Sequence, residues 1–190
     1  MPIPKLKEKY TYQDYCTWPD EERWEIIDGI AYDMSPAPTP KHQNVAGSFY
    51  FSLRSALQGK KCTPFISPID VVLSEYDVVQ PDVIVVCDPS KITEENIQGA
   101  PDLVLEVLSP STSKKDRWTK KELFEKHGVR EYILVEPVSQ YVERFILEEN
   151  NKFHSGDVFD AVQILPLRSL EEIEIPLWEV FGIEKPPENE

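Results

Sequence analysis

Two strand-sized apolar runs that each open with Pro-Asp constrain this chain most: Pro81-Asp-Val-Ile-Val-Val86 and Pro101-Asp-Leu-Val-Leu-Glu-Val-Leu108. Side chains alternate across a strand, so Asp82 shares a face with Ile84 and Val86, and Glu106 shares one with Val104 and Leu108. Both acids therefore sit at apolar faces of what read as central strands. An isolated buried carboxylate is costly, so each requires a cation or hydrogen-bond donors. If the two strands are neighbours, the acids repel unless a metal ion or a lysine lies between them.

The segment after the second run offers that lysine. Residues 113–127 have helical spacing, with Lys120, Leu123, Phe124 and His127 on one stripe and Arg117 joining it a turn earlier. Lys120 thus lies on the stripe facing the sheet, and Lys121 is turned away. Gly128 supplies the helix stop, and 131–135 is again strand-like. Strand, helix, strand is a crossover unit, so 103–108 and 131–135 should be parallel.

The rest of the chain supports an α/β domain. Thr11 can cap residues 12–17, with Asp14 at capping-box distance. Asp28-Gly29 reads as a hairpin turn pairing 24–27 with 30–34, because Gly accepts positive φ freely. Thr39-Pro40 starts a helix whose apolar face carries His42, Val45, Ala46, Phe49, Leu53, Ala56 and Leu57. Strands are expected at 65–73 and 83–87, candidates for antiparallel neighbours of 103–108, and at 141–147 as the return of a hairpin. The last 35 residues suggest short strands and a turn of helix before a frayed Lys-Pro-Pro-Glu-Asn-Glu tail. The expectation is one domain over 1–190, with its core at about 10–182. It should be a mixed sheet with helices on both faces, preceded by a β-hairpin.

A chain of 190 residues can bury a real core. No apolar stretch approaches the roughly 20 residues that cross a membrane, and the first ten residues lack a signal-peptide core. The three cysteines, Cys16, Cys62 and Cys87, have no CxxC spacing. They suggest free thiols, Cys87 buried, in a reducing and so cytoplasmic compartment. The net charge of -14 argues against tight non-specific binding to nucleic acid. Only 114–126 is locally basic, and Asp116, Glu122 and Glu125 interrupt it.

Taken together the motifs resemble the Uma2 family of the PD-(D/E)xK nuclease superfamily. The resemblance rests on Pro-Asp-Val at 81–83 and Pro-Asp-Leu-Val-Leu-Glu-Val-Leu-Ser-Pro-Ser-Thr at 101–112. Trp-Glu-Ile-Ile-Asp-Gly at 24–29, Ser-Pro-x-Pro at 35–38, His42-Gln43, Asp116-Arg117, 120–124 and Gly-Val-Arg-Glu-Tyr-Ile-Leu-Val at 128–135 extend it. It implies a restriction-endonuclease-like fold and a Mg2+- or Mn2+-dependent endonuclease acting on nucleic acid, DNA ahead of RNA. It implies no membrane partner and, by analogy, a homodimer. Asp82 and Glu106 would be metal ligands, with Glu25 and Asp70 as further acids and His42 as an accessory group. The departure is Leu108, which stands where the motif lysine belongs. Lys120, on the inward stripe, is the substitute expected to serve catalysis.

Plainer readings stand beside each of these. Asp82 could be an acid at a strand entrance bonded to backbone, Glu106 and Lys120 a structural ion pair, and Glu25 a solvent-facing strand residue. Asp28 fits turn chemistry, His42 a core histidine and His127 a helix C-terminal partner. The basic run could be a solvated helix face or a phosphate-contacting edge. At the level of function, the alternatives are a catalytically inactive binding or regulatory module on the same fold, and a metal-binding interaction protein.

Overall fold

The computed structural model describes residues 8–19, 22–34, 37–170 and 172–187. The first seven residues, the Ser35-Pro36 pair and the last three residues of the tail lie outside them. In chain order come α1 (Tyr12–Tyr15), β1 (Trp24–Ile27), β2 (Ile30–Asp33), α2 (Pro40–Ala56), β3 (Thr63–Ile66), β4 (Val71–Ser74), β5 (Asp77–Val79) and β6 (Val83–Val86). Next are β7 (Ile97–Gln98), β8 (Leu103–Val107), a π-helical turn (Lys115–Lys120) running into α3 (Lys121–His127), β9 (Glu131–Glu136) and β10 (Tyr141–Ile146). β11 (Asp157–Asp160), β12 (Ile164–Leu167), β13 (Ile173–Pro176) and α4 (Leu177–Phe181) complete the described chain.

Among the described residues the central sheet has six strands in the order β11-β10-β9-β8-β6-β3. β8 and β9 are parallel, as the crossover requires; β6 pairs antiparallel with both β3 and β8. A five-stranded sheet, β2-β1-β5-β4-β7, is built from the N-terminal hairpin and the segments around it. Odd-numbered residues of β6 and β8 pack with α2 through Val45, Phe49 and Leu53. The even-numbered Ile84, Val86 and Val104 pack with Leu123 and Phe124 of α3 and with Tyr132. Burying each such side chain contributes about 1.5–3 kcal/mol. The two helices thus cover opposite faces, and the alternation read from the sequence sends Asp82 and Glu106 toward the α3 side.

Local expectations hold at the caps. Thr11 and Asp14 form the capping box, and Thr39 caps α2 with Pro40 in its first turn. Asp28 and Gly29 have φ of 51° and 81° in the β1-β2 turn. Three expectations change. The single strand at 65–73 is two strands in different sheets, broken at the cis Ser67-Pro68 peptide. Proline has no N–H for a ladder, which ends pairing there. The segment 113–127 is helical as expected, but Lys115–Lys120, after two helical residues, form a π-turn in place of a regular α-turn. Cys62 and Cys87 are not free thiols: they stand opposite one another just outside the Thr63–Val86 pair and form a disulfide, while Cys16 is free and exposed. Cross-strand opposition, which sequence spacing does not reveal, brings them together.

Candidate active site

The β6-β8 register positions the two acids. Val83 pairs with Leu105, so one step further Asp82 faces Glu106 across the strands. The Asp82 N–H points to Glu106 Oε2 at 3.4 Å, and the Val107 N–H donates to Asp82 Oδ2 at 2.8 Å. His42, on the first turn of α2, brings Nε2 to 3.1 Å from the same Oδ2. Its Nδ1 is buried with no partner among the described residues. His42 is thus a buried histidine that reaches the acid pair, and the core-histidine reading captures only half of its role.

Lys120 completes the convergence. Its Nζ lies 2.7 Å from Glu106 Oε1, 2.6 Å from Glu25 Oε1 and 3.9 Å from Asp116 Oδ1. Glu25, on β1, is fully buried, which overturns the solvent-facing reading. Its Oε1 also accepts the Gln80 N–H, and its Oε2 accepts Lys115 Nζ at 2.7 Å. Asp70 has other partners: the Tyr15 hydroxyl and the Gln80 side-chain amide, each at 2.8 Å. Its link to Glu25 runs through Gln80 alone among the described bonds.

The charge balance explains the protonation behaviour. Four carboxylates, Glu25, Asp82, Glu106 and Asp116, meet two lysines, Lys115 and Lys120. Burial pushes the Glu106 carboxyl well up; Lys120 opposes this, but Asp82, Asp116 and Glu25 add to it. Asp116 is also pushed up by burial, against the pull of Lys120 and Thr112. Glu25 behaves oppositely: burial would raise it, but the two lysines hold it at about 2. Burial would lower Lys120, but its three acid neighbours keep its ammonium charged well beyond the ordinary lysine range. For His42 burial is likewise outweighed by Asp82, and its pKa rises.

Asp116 has no place among the acids singled out from sequence. Its i,i+4 spacing to Lys120, on the same inward side, was the available signal. The basic run is solvated in part: Lys114 and Lys126 are exposed, whereas Lys120 is buried. Arg117 pairs with Glu143, Lys126 with Asp28 and Asp77, and the Lys121 ammonium lies 3.9 Å from the Phe145 ring centre. Leu108 is buried in the apolar layer under α3, where an ammonium would lack partners.

Among the described residues no three or more His, Cys, Asp or Glu side chains form a ready metal cage. The oxygen donors nevertheless suit a hard divalent cation, which needs only one or two carboxylates when water and phosphate complete its shell. Fully ionised, the four acids would exceed the two lysines by two charges, a balance that His42 and protonation of Glu106 or Asp116 reduce.

Sheet order, crossover and covering helices define an α/β protein with a nuclease-like fold. A solved structure described as a putative nuclease belonging to DUF820, from Anabaena variabilis, superposes with a TM-score of 0.74 over 90% of this chain and 97% of the other, at 22% identity. The chain belongs to the Uma2 family, described as "putative restriction endonuclease", whose pattern matches residues 11–177. An uncharacterised protein of Synechocystis sp., slr1290, is 28% identical over 148 residues, covering 76% of this chain and 75% of that one. Among the described residues no helix is long and apolar enough to cross a membrane.

Proposed function

We propose that this protein is a divalent-metal-dependent endonuclease that hydrolyses phosphodiester bonds, with Asp82 and Glu106 as the metal-binding acids. The observation that carries the reading is the cross-strand meeting of these two carboxylates with a buried ammonium 2.7 Å from Glu106. A bound Mg2+ or Mn2+ would supply Lewis acidity toward the scissile phosphate and lower the pKa of the attacking water. The protein's part is orientation and charge. Val107 N–H and His42 Nε2 hold Asp82 Oδ2, and Lys120 holds Glu106 Oε1. Asp82 is thereby held through Oδ2, which directs Oδ1 to the ligand, while Glu106 keeps Oε2 under only a long contact from the Asp82 N–H. Lys120 takes the place of the motif lysine: a buried cation there stabilises negative charge developing on phosphorus oxygens. His42 Nδ1 is buried without a partner among the described residues, so His42 is assigned its contact with Asp82 alone. Glu25 anchors lysines and stays outside this ligand set.

The test is cleavage of single- and double-stranded DNA and RNA in Mn2+ and Mg2+. Wild type should cut, and Asp82→Asn and Glu106→Gln should not. Lys120→Met should lose about two orders of magnitude in turnover, while Lys121→Met cuts like wild type. A wild type that cleaves none of these substrates would leave the inactive binding module as the better reading, which Leu108 and the net charge of -14 favour.

A further inference from the structure

The π-turn has a geometric consequence for two lysines. In a regular α-helix, residues five apart point about 140° away from each other. A turn hydrogen-bonded i→i+5 stacks them instead. Lys115 and Lys120 bound this turn, and both reach one carboxylate, Oε2 and Oε1 of Glu25, at 2.7 and 2.6 Å. The two cations differ in access. The Lys120 side chain is 3% exposed and locked between Glu25 and Glu106, whereas that of Lys115 is 18% exposed. The Lys115 ammonium also lies 5.4 Å from the centre of the Tyr32 ring, on the edge strand β2. The nearby Arg117, Lys121 and Lys126 point to partners outside the cluster, Glu143, Phe145 and the Asp28-Asp77 pair. Of the two lysines bonded to Glu25, Lys115 is the one at the rim of the cluster.

We propose that Lys115 is a substrate-binding residue that contacts a backbone phosphate of the nucleic acid at the mouth of the site, with Glu25 as the positioning residue that holds it in register with Lys120. This rests on the nuclease reading above. The two lysines then divide the work: Lys120 fixes Glu106 and acts on the reacting phosphate, and Lys115 binds the strand. A chain of net charge -14 repels a polyanion, so a cation at the mouth is where local attraction can be supplied. Glu25, closed off from solvent and bonded by both ammoniums, serves as an anchor whose charge is already balanced.

The test is binding of fluorescently labelled DNA and RNA oligonucleotides, in Ca2+ and across a salt series, with cleavage kinetics in Mn2+. Lys115→Met should weaken binding about tenfold and reduce the slope of log K against log salt by about one. KM should rise while kcat stays within about twofold of wild type. Lys115→Arg should restore the slope. Lys115→Gln, which can still donate to Glu25 without a charge, should match Lys115→Met in slope and keeps the test valid if the Met variant folds poorly. A wild-type slope and KM in Lys115→Gln would overturn the proposal and leave the nuclease reading standing. Absence of both binding and cleavage in wild type would overturn both.

Discussion

Two buried acid clusters on this molecule are built on opposite balances. At the start of β5, the middle strand of the five-stranded sheet, Asp77 is a carboxylate with a surplus of donors. It accepts the Asp28 N–H at 2.7 Å, the Ser74 hydroxyl at 2.8 Å, His127 Nε2 at 2.9 Å and Lys126 Nζ at 3.4 Å. Burial alone would raise its pKa, but His127 and the other donors hold it well below the usual carboxylate range. Around Lys120 the surplus is of acids, and Glu106 and Asp116 are pushed up. A donor-rich carboxylate is finished as it stands and serves the fold. An acid-rich cluster is completed by something positive, either protons or a metal ion. The contrast separates a structural ion cluster from a candidate active site more clearly than burial, which both share.

The largest effect should come from removing the cation at the centre of the acid-rich cluster. Lys120→Met leaves Glu25 and Glu106 buried without it and should cost about 3–5 kcal/mol of folding free energy by urea titration. Adding Glu106→Gln should return part of that loss, since one of the stranded charges is gone. Full additivity of the two changes would break the picture of one coupled cluster.

Metal binding should follow, and only at one cluster. Mn2+ at about 100 times its Kd should stabilise the protein by about 2.7 kcal/mol, read as a rise in melting temperature. Asp82→Asn with Glu106→Gln should abolish the rise and stabilise the metal-free protein by relieving repulsion. Asp77→Asn should lose about 1.5–3 kcal/mol through weakened charged hydrogen bonds yet keep the whole metal response. An equal metal response in the Asp82/Glu106 double variant would place the ion elsewhere.

The two clusters should also give stability opposite pH slopes. The folded state depresses Asp77, so its contribution is present above the unfolded pKa and lost as pH falls through the folded one. Asp77→Asn should therefore flatten the acid limb below about pH 4. Glu106 is raised, so its contribution is complete below the unfolded pKa and lost as pH rises through the folded one. Glu106→Gln should flatten the decline above about pH 4.5, by up to about 1.4 kcal/mol per pH unit. Matching pH profiles for the two variants would erase the distinction. The smallest effect belongs to Lys121→Met, which removes a cation–π contact worth about 0.5–1 kcal/mol and a weak attraction to Glu125.

Much of this site was legible in local pattern. Strand alternation put Asp82 and Glu106 on one side of the sheet, and helical spacing aimed Lys120 at them while turning Lys121 away. These are one-dimensional periodicities that the backbone converts directly into direction. Asp28-Gly29 and Thr39-Pro40 marked their turn and cap for the same reason, since backbone preference there is a property of one or two residues.

What escaped the sequence depends on partners distant along the chain. Glu25 reads from sequence as well on the outside of a hairpin as inside; only the docking of β1 beside the π-turn buries it against Lys115 and Lys120. Asp70 is a strand acid by pattern, but the break at Ser67-Pro68 hands it to Tyr15 and Gln80. Cys62 and Cys87 carry no spacing signal and meet because two strands align edge to edge. The wide turn at Lys115–Lys120 shifts two lysines onto one side against the helical period read from sequence. Residue types and their period thus determined which groups point inward. The tertiary structure decided which of them meet, because pairing energy depends on distance and shared burial, and neither is written in sequence order.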